Sequence, residues 1–353
     1  MLNELNPLVT INLVVLNGEK YIRHFLNSLE KQTYPHEKIQ LNILDNGSSD
    51  NTKIIIGNFS FAAFNFIESK QNLGMWPGQE ELLGHSDGKY IVASSVDIIL
   101  DKDFIKNFVI AMEQDTKIGA IQPKIYKFEL NESRITKKII DTCGFKIFRS
   151  RRVVNIGHGE QDNGPLDNAR GKQFDFNKQQ EIFAVEGAVP VFRTEALKSL
   201  KISGEIADHD YFWYGDDLDL AWRMRIFGWK QIFMPNVIAW HDRQTTKTLK
   251  RSWSDYLARV PIRRQIPIKK RRLDWRNLRW TFIKNDYIIN VLKDLPWILP
   301  RELAVLGYAI LFEPGVLREI PKFFRHFPNM LHKRKEIMKR AIVKPREIRK
   351  WFY

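Results

Sequence analysis

Among 353 residues there is a single cysteine, Cys143. That excludes a disulfide within the chain and suits a reducing compartment. Long unbroken apolar runs are missing as well. The best candidate, 295–312, is interrupted by Pro296, Pro300, Arg301 and Glu302 and reads as a poor membrane-spanning helix. The opening residues, MLNELNP, hold no basic stretch and no apolar run, so no signal peptide is expected there. No repeat of fixed period and no low-complexity tract occurs. Acidic residues are scarce in one region only. From Arg243 to Tyr353 there are 28 Lys and Arg against 9 Asp and Glu, whereas Met1 to Asp242 carries 28 against 32. The net charge of +15 therefore sits in the last third. Such asymmetry points to a polyanionic surface, nucleic acid or anionic lipid.

What is present is an alternation of strand and helix patterns. Residues 9–16 (VTINLVVL) form a β-branched apolar run ended by Asn17-Gly18, the pattern of a buried parallel strand and a turn. Tyr21, Ile22, Phe25, Leu26 and Leu29 follow at helical spacing, and 39–44 (IQLNIL) gives a second strand closed by Asp45. Strand, helix, strand is a βαβ unit, which implies a right-handed crossover and a parallel sheet. Ligands of such sheets bind at the carboxyl ends of the strands, where Asn17 and Asp45 stand. Further strands are expected at 63–69, before Asn72-Leu73-Gly74, and at 90–93, before Ser95-Val96-Asp97. A helix is expected at 103–112 and an extended segment at 119–123. Residues 134–180 look irregular, the length of a functional insertion. Strands are expected at 183–185 and 231–233, on either side of an acidic cluster.

That cluster is Gly215-Asp216-Asp217-Leu218-Asp219, preceded by Tyr211-Phe212-Trp213-Tyr214. Read alone, it is either a helix start, whose dipole favours negative charge, or a site that uses carboxylates. Its company favours the second. In the runs 9–18, 44–52 (LDNGSSDNT), 72–74, 90–104, 185–193, 211–228 and 235–241, the chain resembles glycosyltransferase family 2 of the GT-A fold. Within it, the chain is similar to the bacterial rhamnosyltransferase-like branch, also in 276–286 (RNLRWTFIKND), 299–311 and 344–352.

The resemblance implies an α/β fold with a Rossmann-like, mostly parallel central sheet flanked by helices. It implies an inverting glycosyltransferase moving a sugar, L-rhamnose from dTDP-rhamnose, to a hydroxyl of a lipid-linked or cell-surface polysaccharide acceptor. Asp45 would accept a hydrogen bond from the nucleotide base, and Asn17, Asn72 and Gly74 would approach the nucleotide sugar. Ser95-Val96-Asp97 stands where the family has D-x-D. Asp97 would bind the donor and, with His241, hold Mg²⁺ or Mn²⁺, hard ions that bridge phosphates. Asp217 would be the base that takes the acceptor proton. Asp216, Trp213, Gly187 and Ala188 would lie on the acceptor side. Val15-Leu16 replaces the Asn-Tyr frequent before Asn17, and Glu80 sits where a diphosphate would not welcome it; its side chain is expected to point elsewhere.

The division expected is a catalytic domain over 1–245 and a basic amphipathic helical segment over 246–353. Lys269-Lys270-Arg271-Arg272 with Trp275 and Trp280, and Phe323-Phe324-Arg325-His326-Phe327, fit a peripheral contact with an anionic membrane surface, on the cytoplasmic face. A helical bundle packed on the catalytic domain is the alternative. No nucleic-acid motif accompanies the charge, and no nucleic-acid partner is expected. Two rival functions share the residues: a polyprenyl-phosphate glycosyltransferase of the same fold, and a non-catalytic basic scaffold.

Overall fold

The computed structural model describes residues 6–130, 138–164, 174–243, 260–261 and 263–353. The expected boundary at 245/246 and part of the 134–180 insertion lie outside the described residues. Strand β1 (Val9–Val15) has every residue buried, as does β2 (Ile39–Asp45), which explains their continuous apolar runs. Helix α1 (Ile22–Glu30) buries Ile22, Phe25, Leu26 and Leu29. Helix α2 (Thr52–Gly57), β3 (Ala63–Glu68), α3 (Met75–Leu83), β4 (Tyr90–Ser94), β5 (Ile98–Leu100), α4 (Phe104–Gln114) and β6 (Ile118–Lys127) follow. β1 pairs in parallel with β2 and with β4, and β2 with β3. In register, Val15 faces Asp45 and Leu13 faces Ser94, so these strands end together. That shared edge carries Asn17, Asp45 and the turn Ser95–Asp97.

Beyond β4 the sheet is mixed. The remaining strands are β7 (Ile140–Thr142), β8 (Phe145–Ile147), β9 (Val153–Asn155), β10 (Gln180–Glu181), β11 (Val191–Arg193) and β12 (Lys230–His241). The ten-stranded sheet has the path β10-β12-β6-β11-β4-β1-β2-β3, with β5 on β12 and β7 on β6. β11 runs antiparallel between β4 and β6, and β12 runs parallel to β6. The expected strand at 183–185 is corrected: only an isolated bridge joins Ala184 to Phe145. Side chains take its backbone donors instead, Val185 N–H donating to Gln231 and Glu186 N–H to Gln122. The expected strand at 231–233 is part of β12, which continues through Val237 and Ile238 with a register shift between Met234 and Ile238 where Pro235 stands.

Helix α5 (Thr194–Ser199) and helix α6 (Asp216–Ile226) precede β12, and α7 (Ile268–Asn285), α8 (Ile288–Phe312), α9 (Ile320–Lys339) and α10 (Pro345–Arg349) come after it. α8 runs unbroken through Pro296 and Pro300, contrary to the expected interruption. By length and composition it is able to cross a membrane. α7 packs on α6 and α9. Its Trp280, expected on a lipid-facing side, is fully buried beside Tyr211, with Arg276 over its ring, and Trp275 packs on Phe323. The basic residues of this helix thus cover aromatic rings inside the protein. One core lies between the parallel strands, α1 and α4; a second gathers Cys143, Phe183, Trp222, Ile348 and Phe352 around α6.

Candidate active site

Asp45 ends β2 with its side chain fully buried. Its Oδ2 accepts from the Ser48 N–H at 3.0 Å, while Oδ1 is buried with no protein partner. A buried carboxylate oxygen without a donor is costly, so the position suits a ligand N–H. Asn17, exposed and at φ 51°, accepts from Ser49 N–H at 2.9 Å and donates its own N–H to Ser48 Oγ at 2.8 Å. It orders the Asn46–Asp50 turn from the neighbouring strand. Asn46 in turn holds the loop after β3, donating to Asn72 Oδ1 at 3.1 Å and Gly74 O at 3.0 Å. Gly74 has φ 99°, and a Cβ there would meet Phe212 O at 2.4 Å. The Asn72–Gly74 loop and the aromatic loop before α6 therefore touch backbone to backbone, an approach only glycine permits. Glu80 points away from this edge, as expected, accepting from the Ala207 N–H at 2.6 Å.

His241 is the last residue of β12 and pairs across the sheet with Ile98, which places it beside Asp97. Its Nε2 lies 3.3 Å from Asp97 Oδ2, and its Nδ1 lies 2.9 Å from Asp141 Oδ2. Ser95 Oγ donates to the other Asp97 oxygen at 2.6 Å. Burial opposes charge on the imidazole, but Asp141 and Asp97 outweigh it and raise its pKa to about 9. Burial likewise opposes Asp97, and the His241 contact wins, holding its carboxyl below the usual range. Asp141, fully buried, also receives Arg243 Nε at 2.9 Å, and Arg243 Nη2 donates to Glu186 at 2.7 Å. Among the described residues no three His, Cys, Asp or Glu side chains gather in metal-ligand geometry. Asp141 on Nδ1 fixes the orientation of the imidazole, and Nε2 faces Asp97 as an ion pair, so a metal could be held by Asp97 and His241 only by displacing the Nε2 proton.

The acidic cluster forms the first turn of α6, after Gly215 at φ 79°. Asp217 Oδ2 accepts from the Gly187 N–H at 3.1 Å and Oδ1 from the Leu218 N–H at 2.8 Å. A Cβ on Gly187 would meet Asp217 Cβ and Oδ2 at 3.0 Å, so the small residue there admits the carboxylate. Burial pushes the Asp217 carboxyl up to about 8, and the charges of Asp216 and Glu186 push the same way. Asp216 is raised too, again by burial; its Oδ1 accepts from the Asp217 N–H, and its Oδ2 is buried without a protein partner. Asp219 leaves the site: it pairs with Arg223 at 2.8 Å and with Lys284 of α7 at 3.0 Å. Ala188 O accepts from the Ser95 N–H at 3.0 Å. The turn that holds Asp217 is thus joined directly to the turn that holds Asp97.

Phe212 and Tyr214 have φ of 62° and 65°, a conformation that costs bulky residues energy. α7 holds them there. Asn277, fully buried, places Nδ2 2.7 Å from Tyr214 O, 2.8 Å from Trp213 O and 3.1 Å from Tyr211 O. Trp213, at 40% exposure, stands out of this loop with its ring centroid 4.2 Å from that of Tyr214.

The structure brings together Asp97 with His241, and Asp217 with Asp216, Gly187 and Ala188. Asn17, Asp45, Asn72 and Gly74 line the adjoining edge. Sequence reasoning missed Asp141, Arg243, Glu186 and Asn277. Arg243, two residues beyond His241, and Glu186, beside Gly187, were adjacent to named residues. Asn277 lay in the run 276–286 already noted for its resemblance, with no role attached to it, and Asp141 carried no local signal.

Residues 10–176 match the family model for Glycosyl transferase family 2. Ninety-two residues are 35% identical to Glycosyltransferase AglE of Haloferax volcanii, over 23% of this chain and 30% of that protein. Over 117 residues there is 29% identity to an uncharacterized glycosyltransferase of Haemophilus influenzae, over 33% of this chain and 36% of that one. The match thus spans about a third of the length of either relative. The mannosyltransferase PcManGT from Pyrobaculum calidifontis, solved with GDP-Man and Mn2+, superposes with TM-score 0.51 at 16% identity, over 95% of this chain and 86% of that one. S. aureus TarS 1-349 with UDP-GlcNAc gives 0.54 at 12%, over 98% and 93%. The chain has the GT-A fold, and its residues 10–176 are similar to glycosyl transferase family 2.

Proposed function

We propose that this protein is an inverting glycosyltransferase that moves a sugar from a nucleoside diphosphate to a hydroxyl, with Asp217 as base. The observation that carries the reading is the seating of Asp217. It is aimed by the Gly187 N–H, raised by burial, and one backbone hydrogen bond removed from the Ser95–Asp97 turn. In the reaction, Asp217 takes the acceptor hydroxyl proton as that oxygen bonds to the anomeric carbon. The bond from that carbon to the diphosphate oxygen breaks on the opposite face, and the nucleoside diphosphate leaves with the electron pair. Asp45 binds the base through its unpartnered oxygen, and the loop of Asn72 and Gly74 bounds the sugar nucleotide. Asp97 and His241 would hold Mg²⁺ or Mn²⁺, which offsets the charge of the departing diphosphate when bound. Two relatives in fold, solved with GDP-Man and Mn2+ and with UDP-GlcNAc, make this class of donor reasonable. L-Rhamnose from dTDP-rhamnose, delivered to a lipid-linked or cell-surface polysaccharide hydroxyl, is the donor and acceptor pair we favour, on the resemblance of the sequence to that branch.

A thermal-shift screen of sugar nucleotides with and without Mn²⁺ tests the donor, because a ligand selective for the folded state raises its stability. A shift with dTDP-rhamnose that Mn²⁺ enlarges is the expected result. No shift with any sugar nucleotide returns the chain to a non-catalytic scaffold. Transfer that survives Asp217→Asn points to a phosphate acceptor, which needs no strong base.

A further inference from the structure

We infer that α8 docks the protein on an anionic lipid surface, lying along it, while a cationic pocket beside the helix receives the headgroups. This goes beyond the transferase reading and does not depend on it. Leu292, Leu295, Leu299, Leu303, Leu306 and Ile310 recur at intervals of three and four, and each is at least 40% exposed. That spacing gathers them into one stripe along the helix. Such a continuous apolar stripe left in water is an interaction surface.

The opposite face decides how the helix meets lipid. Asp294 is fully buried, bonded to Arg151 at 2.8 Å and to Arg349 at 2.8 Å. Asn290, on the same side, is buried and donates to Pro345 O at 2.8 Å, while Glu302, at the flank of the stripe, receives Arg279 at 2.6 Å. Crossing a bilayer would strip these groups of their partners and put a carboxylate in hydrocarbon. A helix fastened along one side and apolar along the other lies in the interface.

The occupant follows from charge. A cavity of about 410 Å³ opens beside the N-terminal half of α8, lined by Arg149, Lys293, Arg346, Arg349 and Lys350 with Asn290 and Phe352. Arg349 engages Asp294 and Lys350 engages Glu347, yet five cations around one opening leave a positive surplus. Arg149 lies 5.3 Å from the ring of Trp297, an exposed residue of α8. A cation and an aromatic ring at the rim suit headgroup depth. A second copy would bring the same positive charge to the contact, and an anionic headgroup brings the opposite one.

The test is co-sedimentation of the full chain with phosphatidylcholine vesicles, with and without phosphatidylglycerol. We expect sedimentation with the anionic vesicles and release by alkaline carbonate. Leu299→Glu with Leu303→Glu should lower the bound fraction about tenfold. Lys293→Glu with Lys350→Glu should abolish the preference for phosphatidylglycerol. Both pairs are exposed, and an unchanged melting temperature confirms that each variant folds. Retention after carbonate would overturn the interfacial placement in favour of a span. Binding indifferent to Leu299→Glu with Leu303→Glu would overturn the role of α8. A dimer that this substitution splits, without vesicle binding by the parent, would assign the stripe to a second copy.

Discussion

Asp217 is raised above the ordinary carboxylate range by burial and by Asp216 and Glu186, and a base has to be ionised to accept a proton. Transfer should therefore rise with pH through the raised value, about 8, in a profile of kcat/KM. Asp217→Asn should lower transfer by roughly 10²–10⁴-fold with the donor-induced thermal shift retained. The same shift bears on stability with the opposite sign. The unfolded chain releases this proton near the ordinary value of about 4, the folded chain near the raised one. Between them the folded state holds more protons, so this group's contribution falls as pH rises through that window. Asp217→Asn should consequently melt no lower than the parent at pH 8, and a lower melting temperature there would contradict the burial argument. At Gly187, alanine would crowd Asp217 at 3.0 Å; transfer should drop while donor binding stays, as separate rate and thermal-shift measurements would show.

At the scale of elements, α7 carries more of the site than its basic composition announces. Asn277 reaches three carbonyls of the loop that holds Phe212 and Tyr214 at positive φ. Asn277→Ala leaves those carbonyls without that donor and should cost about 1–3 kcal/mol in denaturant unfolding. It should also raise the acceptor KM while leaving the donor shift alone. The parallel strands were legible because a strand buried on both faces writes an unbroken apolar run, as in β1 and β2. The cap of α6 was legible from glycine followed by acids. The meeting of His241 with Asp97 was expected from the family resemblance, not from the strands themselves: it rests on antiparallel pairing of β12 with β5, and long-range register leaves no periodic trace in either segment. Asp141 was hidden for the same reason. The Trp-basic pattern of α7 was ambiguous in principle, since a ring covered by arginine inside a protein and a ring flanked by arginine at a membrane are written alike.

For the molecule as a whole, the chain after β12 is built into the part that precedes it. Lys284 and Lys333 both reach the buried Asp208, at 2.6 and 2.7 Å, and Arg151 reaches Asp286 at 2.6 Å. Removing one side of such buried pairs strands a charge, at a cost of about 3–5 kcal/mol for each pair. Truncation before α7 should therefore give a chain without a cooperative melting transition, rather than a smaller soluble enzyme.

Cys143 sits in the second core with Trp222 and Phe352, fully enclosed, and burial holds its thiol well above the usual pKa. Because it is the sole thiol, the protein carries its own chemical clock. An aromatic disulfide reagent can modify it only when that core opens, so the labelling rate reads the opening equilibrium without any engineered probe. A ligand that tightens the donor site should slow the clock, and loss of the α7 contacts should speed it.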